Sequence, residues 1–241
     1  MAVTIANTAD TYELVSGGST LLNGLISYWK MDESSGNLAD SVASNTGVVT
    51  GSPTYNGSGI KVGVTFDGIN DYFHCGDDSS LKPNYFTISF WMKSSDGANY
   101  LALCGHGISI SPYGWVGATE LDGGGAAHVR FEGYNATGTE YYQVDATTNV
   151  ITGAWVHVVM SINGTYAKVY INTVQEGGDV SFPYTQGYTT GETEFMIGRN
   201  VPYGLLYNGE LDEIGLWNRA LTTDEISELY NSGSGNTYPF S

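Results

Sequence analysis

Two acidic residues stand side by side in an apolar stretch: Asp212 and Glu213 within NGELDEIGLWNRAL, residues 208–221. Strands disfavour Asp and Glu, and a buried carboxylate needs either a cation or hydrogen-bond donors. Asp212 therefore reads as a cation ligand, as a cap on backbone N–H groups, or as a partner of Arg219 or Arg199. Asp32 and Glu33 follow another apolar run, LISYWKM, where a turn cap is the alternative. His74, His106, His128 and His157 have neither metal-ligand spacing nor a nucleophile–acid arrangement, so each reads as structural. Cys75 and Cys104 lack an activating base and could be one disulfide or two buried thiols. The remaining chemistry is aromatic. Tyr113 and Trp115 lie in SPYGW, Tyr134, Tyr141 and Tyr142 in FEGYNATGTEYY, and Tyr203 and Tyr207 in VPYGLLYNG. Exposed rings beside polar groups can stack on sugar faces. The alternative is that they fill sheet edges or an interface with their hydroxyls wet.

The composition limits what those residues can serve. Of 241 residues 33 are Gly and 18 are Tyr, while charged residues make up 14%, a Gly-punctuated, aromatic pattern that suits a β-sandwich. A net charge of −17 repels phosphate backbones and anionic membrane surfaces, so neither nucleic acid nor membrane is an expected partner. Divalent cations are compatible with it, although acidity also simply keeps a β-protein from associating. No apolar run approaches the ~18 residues of a membrane span. The start, MAVTIANTADTYELVSGG, lacks the basic and apolar regions of a secretory leader.

The elements that must position these residues are short strands. Residues 1–23 hold few apolar anchors and read as an extended arm that docks on the domain or on a partner. Strands are expected at Leu25–Met31, around Asp67–Gly68, at Phe86–Lys93, Tyr100–Cys104, Trp115–Thr119, Ala127–Phe131, Tyr141–Val144, Ala154–Ile162, Thr165–Asn172, Glu194–Gly198 and Gly209–Trp217. In FTISFWMK, Phe86, Ile88, Phe90 and Met92 share one face; Asn163–Gly164 marks a hairpin turn. Thr222 to Tyr230 reads as a helix with a Thr222/Glu225 capping box, a buried stripe of Ile226, Leu229 and Tyr230, and Gly233 as its end. Residues 235–241 read as a tail. Strands at a spacing of roughly ten residues with one helix give a single all-β domain, a two-sheet antiparallel sandwich.

The runs GLISYWKMDESSGNLADS, GVTFDGINDYF, FTISFWMK, GAWVHVVMSINGTYAKVYIN, FMIGR and NGELDEIGLWNRALTTDEISELYNSG, in that order, resemble the laminin-G-like jelly-roll domains of the concanavalin A-like lectin/glucanase superfamily. The resemblance covers residues 24–234. It implies a jelly roll, often with a structural Ca²⁺, and a role in binding carbohydrates or proteins or in surface assemblies. It places the cation between the first and last strands, on Asp32, Asp212 and a backbone carbonyl from Gly59 to Gly63, with Asp40 and Asp67 as further candidates. Glucanases of the superfamily alternate acids on one strand. Here Glu210 and Asp212 begin such a pattern, but Ile214 follows them, so no retaining pair of carboxylates forms and no enzyme is expected.

Two roles follow. One is a surface structural or interaction protein, a phage virion decoration, tail or fibre component that docks through residues 1–23, located on a virion or outside cells. The other is a lectin-like module that binds glycans through Tyr113, Trp115, Tyr134, Tyr142 and Tyr203, with Ca²⁺ holding the scaffold.

Overall fold

The computed structural model describes residues 19–97, 100–107, 114–188, 194–200 and 204–240. The arm expected over residues 1–23 lies outside the described residues as far as residue 18. The first strands are β1 (Leu25–Trp29), β2 (Val48–Thr50), β3 (Thr54–Tyr55), β4 (Val64–Asp67), β5 (Tyr72–His74) and β6 (Phe86–Lys93). Next come β7 (Leu101–Gly107), β8 (Gly114–Leu121), β9 (Ala127–Tyr134), β10 (Tyr141–Asp145), β11 (Val156–Ile162) and β12 (Tyr166–Ile171). The last are β13 (Val174–Ser181), β14 (Phe195–Ile197), β15 (Arg199–Asn200), β16 (Leu205–Leu206) and β17 (Asn208–Trp217), followed by helix α1 (Thr223–Tyr230). Among the described residues no helix is long and apolar enough to cross a membrane.

The strands form two large antiparallel sheets and a two-stranded pair, β15 with β16. In the first the order is β13-β12-β11-β6-β17-β4-β3, with β1 also pairing β17. In the second it is β10-β9-β8-β7-β14-β5-β2. Facing sheets bury alternate side chains of each strand. The Phe86, Ile88, Phe90 and Met92 face of β6 points into this core, where it joins Trp29, Phe131, Phe195 and Leu211. Cys75 and Cys104 are both buried there as unpaired thiols.

The outer face of the first sheet is also covered. Tyr28, Val159, Tyr170 and Trp217 form a second cluster with Ile226 and Leu229 of α1 and with Phe240. The expected tail therefore packs: Phe240 meets Tyr28 edge-on at 5.4 Å. The capping box forms as expected, with the Thr222 hydroxyl accepting from the Glu225 N–H and the Glu225 carboxylate accepting from the Thr222 N–H. The helix end differs from the sequence reading. Asn231 rather than Gly233 takes the left-handed cap, at φ 45°, a conformation Asn tolerates.

Strand β13 had no sequence expectation. Its residues VQEGGDVS are mostly exposed, and Gly177 and Gly178 sit at φ +69° and +73°. It is an edge strand without an apolar stripe.

Candidate functional site

Two groups of polar residues stand out, one on each sheet. The first is the acidic pair of β17. Pairing with β6 shifts register between Asp212 and Gly215, with Glu213 at φ 51°. This bulge adds a residue and reverses the alternation. Leu211, Ile214 and Leu216 then all reach the core. Ile214 therefore does not share a face with Asp212 as simple alternation predicts. The carboxylate of Asp212 is fully buried. Its Oδ2 accepts the N–H of Lys61 at 2.5 Å and of Val62 at 3.2 Å. Its Oδ1 is buried without a partner. Asp32 reaches the same loop, with Oδ1 accepting the Gly59 N–H at 2.6 Å. Gly63 makes this approach possible, because a Cβ there would collide with the Leu211 carbonyl. Glu213 Oε2 accepts the Thr237 hydroxyl at 2.8 Å. Burial first, then the charge of Glu213, pushes the Asp212 carboxyl up to about 8. Burial also pushes Glu213 up to about 7.

The loop of residues 59–63 thus meets Asp32 and Asp212 through N–H groups, where a carbonyl had been expected. Arg219 pairs instead with Glu225 at 2.7 Å, and Arg199 stacks on Tyr72 at 4.5 Å. Asp40 accepts the N–H groups of Tyr28, Val42 and Asn45. Asp67 accepts those of Ile69 and Asn70 in its own turn. Among the described residues, no three His, Cys, Asp or Glu side chains converge as a metal cluster. What remains is a buried carboxyl oxygen without a partner, on a group that burial favours in its protonated form, beside a second acid.

The second group lies on the outer face of the second sheet. Along β9, Ala127, Val129, Phe131 and Gly133 are buried, while His128, Arg130, Glu132 and Tyr134 reach outward. On β10, Tyr142 and Val144 point in, and Tyr141, Gln143 and Asp145 point out. Register sets Tyr141 opposite Tyr134, Gln143 opposite Glu132 and Asp145 opposite Arg130. On the other flank, β8 sets Val116 beside Glu132, Ala118 beside Arg130 and Glu120 beside His128.

The outward side chains are tied together. Arg130 forms ion pairs with Glu120 and, at 2.7 Å, with Asp145. Glu132 accepts the Tyr100 hydroxyl at 3.1 Å on one oxygen and the Tyr141 hydroxyl at 2.7 Å on the other. Gln143 donates to Asp145 at 2.7 Å. The rings of Tyr134 and Tyr141 lie 4.9 Å apart, and Tyr141 is 44% exposed. Burial, then the neighbouring Glu132 carboxylate, raises both the Tyr100 and Tyr141 phenols, so both stay protonated as donors. The result is a hydrogen-bonded row of planar polar groups beside the exposed Tyr141 and the half-buried Tyr134.

Of the aromatics named from sequence, Tyr134 and Tyr141 lie on this face. Two others belong to the core instead. Trp115 is 4% exposed and packs on Phe86 at 4.7 Å, because Gly114 already opens strand β8. Tyr142 is 1% exposed and bonds Gln186 through its hydroxyl at 2.9 Å. Neither offers a ring face to a sugar. Tyr113 and Tyr203 lie outside the described residues. Tyr100, Glu120, Arg130, Glu132, Gln143 and Asp145 were not singled out. For Arg130 and Glu132 the polar alternation in AHVRFEGY is a local signal; the other four have none within one strand.

A laminin G family model of the concanavalin A-like lectin/glucanases superfamily matches residues 66–227, more than half of the chain. The chain belongs to this family. Its fold is similar to that of the binding domain of Paraclostridial Mosquitocidal Protein 1, with a TM-score of 0.67 and 16% identity, over 88% of this chain and 52% of that one. It is also similar to domain 4 of AbnA, a GH43 extracellular arabinanase from Geobacillus stearothermophilus, in complex with arabinotriose. There the TM-score is 0.63 and the identity 20%, over 84% of this chain and 96% of that one. The binding domain of Botulinum Neurotoxin DC in complex with SialylT gives a TM-score of 0.62 at 13% identity, over 87% of this chain and 52% of that one. Adhesion G-protein coupled receptor D1 of Homo sapiens is 31% identical over 83 residues, which span 34% of this chain and 10% of the receptor. The chain is a lectin-like jelly-roll domain, similar in fold to carbohydrate- and receptor-binding domains.

Proposed function

We propose that this chain is a non-catalytic glycan-binding domain and that the outer face of β9 and β10 is its binding surface. The observation that carries this reading is the Glu132 centre, a carboxylate held by two phenols beside the exposed Tyr141 and the half-buried Tyr134. Planar acceptors and donors fixed in advance suit vicinal sugar hydroxyls, and the tyrosine rings supply apolar faces for the sugar. Similarity in fold to a domain in complex with arabinotriose supports it. Binding to an oligosaccharide array, compared between the native chain and Tyr141→Ala, tests it. The variant should lose binding with an unchanged melting temperature; equal binding by both proteins would refute the placement.

Ca²⁺ belongs to this proposal as a scaffold ion that Asp32 and Asp212 would hold, supplying the positive charge that the buried Oδ1 lacks. The alternative role is a virion-surface component, docked through residues 1–23. Its support is the sequence of that segment, and its test is removal of residues 1–18, which leaves Leu21 in place beneath Trp217, with loss of assembly as the expected result.

A further inference from the structure

We infer that the β9–β10 face selects neutral oligosaccharides and rejects anionic ones such as uronate or sialylated glycans. This rests on the reading of that face as the glycan surface. The charges on the face are unequal. One cation, Arg130, stands among Glu120, Glu132 and Asp145. At the end of the row His128 lies 3.1 Å from Asp122, a further acid.

Recognition of a sugar carboxylate calls for a guanidinium with its fork open, because the strong geometry is bidentate. Arg130 already engages Asp145 through Nε and Glu120 through Nη2. The other cations are placed elsewhere. Lys82, Lys93, Lys168 and Arg219 are each in an ion pair. Lys61 donates to the Gly233 carbonyl at 2.5 Å. Lys30 directly follows β1, a strand of the first sheet. Arg199 stacks over Tyr72 of β5, four strands from β9 in the sheet order. These account for all 8 Lys and Arg residues. An anionic sugar on this face would meet uncompensated carboxylates, and like-charge contacts at a binding surface cost several kcal/mol.

The same carboxylates favour a neutral polyol. An ionised carboxylate has about four acceptor positions. Glu132 uses one on each oxygen for the two phenols. The remaining lone pairs of Glu132 and Asp145 can accept sugar hydroxyls, in charge-assisted bonds roughly twice as strong as neutral ones. Hydroxyl donors satisfy this face without bringing a second negative charge to it.

Titration calorimetry with matched neutral and acidic oligosaccharides, such as galacto- and galacturono-oligomers of equal length, tests the inference. The neutral series should bind at least about tenfold more tightly, a difference of about 1.4 kcal/mol, and Tyr141→Ala should abolish that binding. The double variant Glu120→Gln/Asp145→Asn frees Arg130 and should shift the acidic-to-neutral affinity ratio by about tenfold or more towards the acidic series. Equal or tighter binding of the acidic series that Tyr141→Ala still abolishes would overturn the selectivity and leave the surface in place. Binding indifferent to both Tyr141→Ala and Glu132→Gln would overturn the surface and the selectivity with it.

Discussion

The two sheets of the sandwich treat their outer faces in opposite ways. The first sheet covers its outer face with helix α1 and residues up to Phe240, and it buries two acids on β17. The second sheet leaves charged and aromatic side chains along β9 and β10 half-buried or exposed, tied into one network. A polar group enclosed in protein must find a partner, and one facing water need not. The clasp of Asp32 and Asp212 therefore belongs to stability. The β9–β10 network holds its geometry where a ligand can reach it, and it is the surface suited to recognition.

Variants that separate stability from binding sharpen this contrast. The largest effect is expected at Trp217, which is fully buried and donates from Nε1 to the Leu21 carbonyl at 2.7 Å. Trp217→Ala should cost about 3–5 kcal/mol in urea denaturation, while the folded fraction keeps its affinity for sugar. Next comes the clasp. Calcium at 100 times its dissociation constant should stabilise the chain by about 2.7 kcal/mol, visible as a higher melting temperature. A chelator should reverse this, and Asp212→Asn should make the protein indifferent to both; a native melt that calcium leaves unmoved would remove the ion from the account.

A smaller effect belongs to Glu225, which accepts from the Thr222 N–H at 2.8 Å and pairs with Arg219 at 2.7 Å. Glu225→Gln should cost about 1–2 kcal/mol. Hydrogen bonding from Arg219 pulls the Glu225 carboxyl down from 4.5 to about 2. Its stabilisation is therefore complete above pH 4.5 and lost as pH falls towards 2. The variant should have a flatter acid limb in that window. His157 adds a second acid-labile step, because burial lowers it from 6.5 to about 3 and the folded state holds it neutral. His157→Gln should remove the loss of stability between those two values. The smallest change in stability is expected on the open face, where Glu132→Gln should alter it by less than about 0.5 kcal/mol and still weaken sugar binding.

The difference between the faces also marks what could be read from the sequence. The alternation of FTISFWMK and the Thr222/Glu225 box give β6 and α1 because their causes are local. The family resemblance named from those runs agrees with the match over residues 66–227. β13 was missed because an exposed edge strand with two glycines at positive φ has neither apolar alternation nor strand propensity. The bulge at Asp212–Gly215 is invisible to a period of two, and it changes which residues of β17 reach the core. The glycan candidates fared unevenly because aromatic type does not report facing. Tyr141 and Tyr142 are adjacent, yet one is exposed and the other is core. Assembling Tyr100, Glu120, Arg130, Glu132 and Asp145 into one network requires the register of β8, β9 and β10, which no single strand contains.

The measurement that bears most directly on this division is titration calorimetry of the native chain and Tyr141→Ala with a neutral oligosaccharide such as arabinotriose, beside thermal melts of both. The account predicts saturable binding by the native chain, at least about tenfold weaker in the variant, with superimposable melts. Equal affinity in the two proteins, or no binding by the native chain to any neutral oligosaccharide, would contradict it.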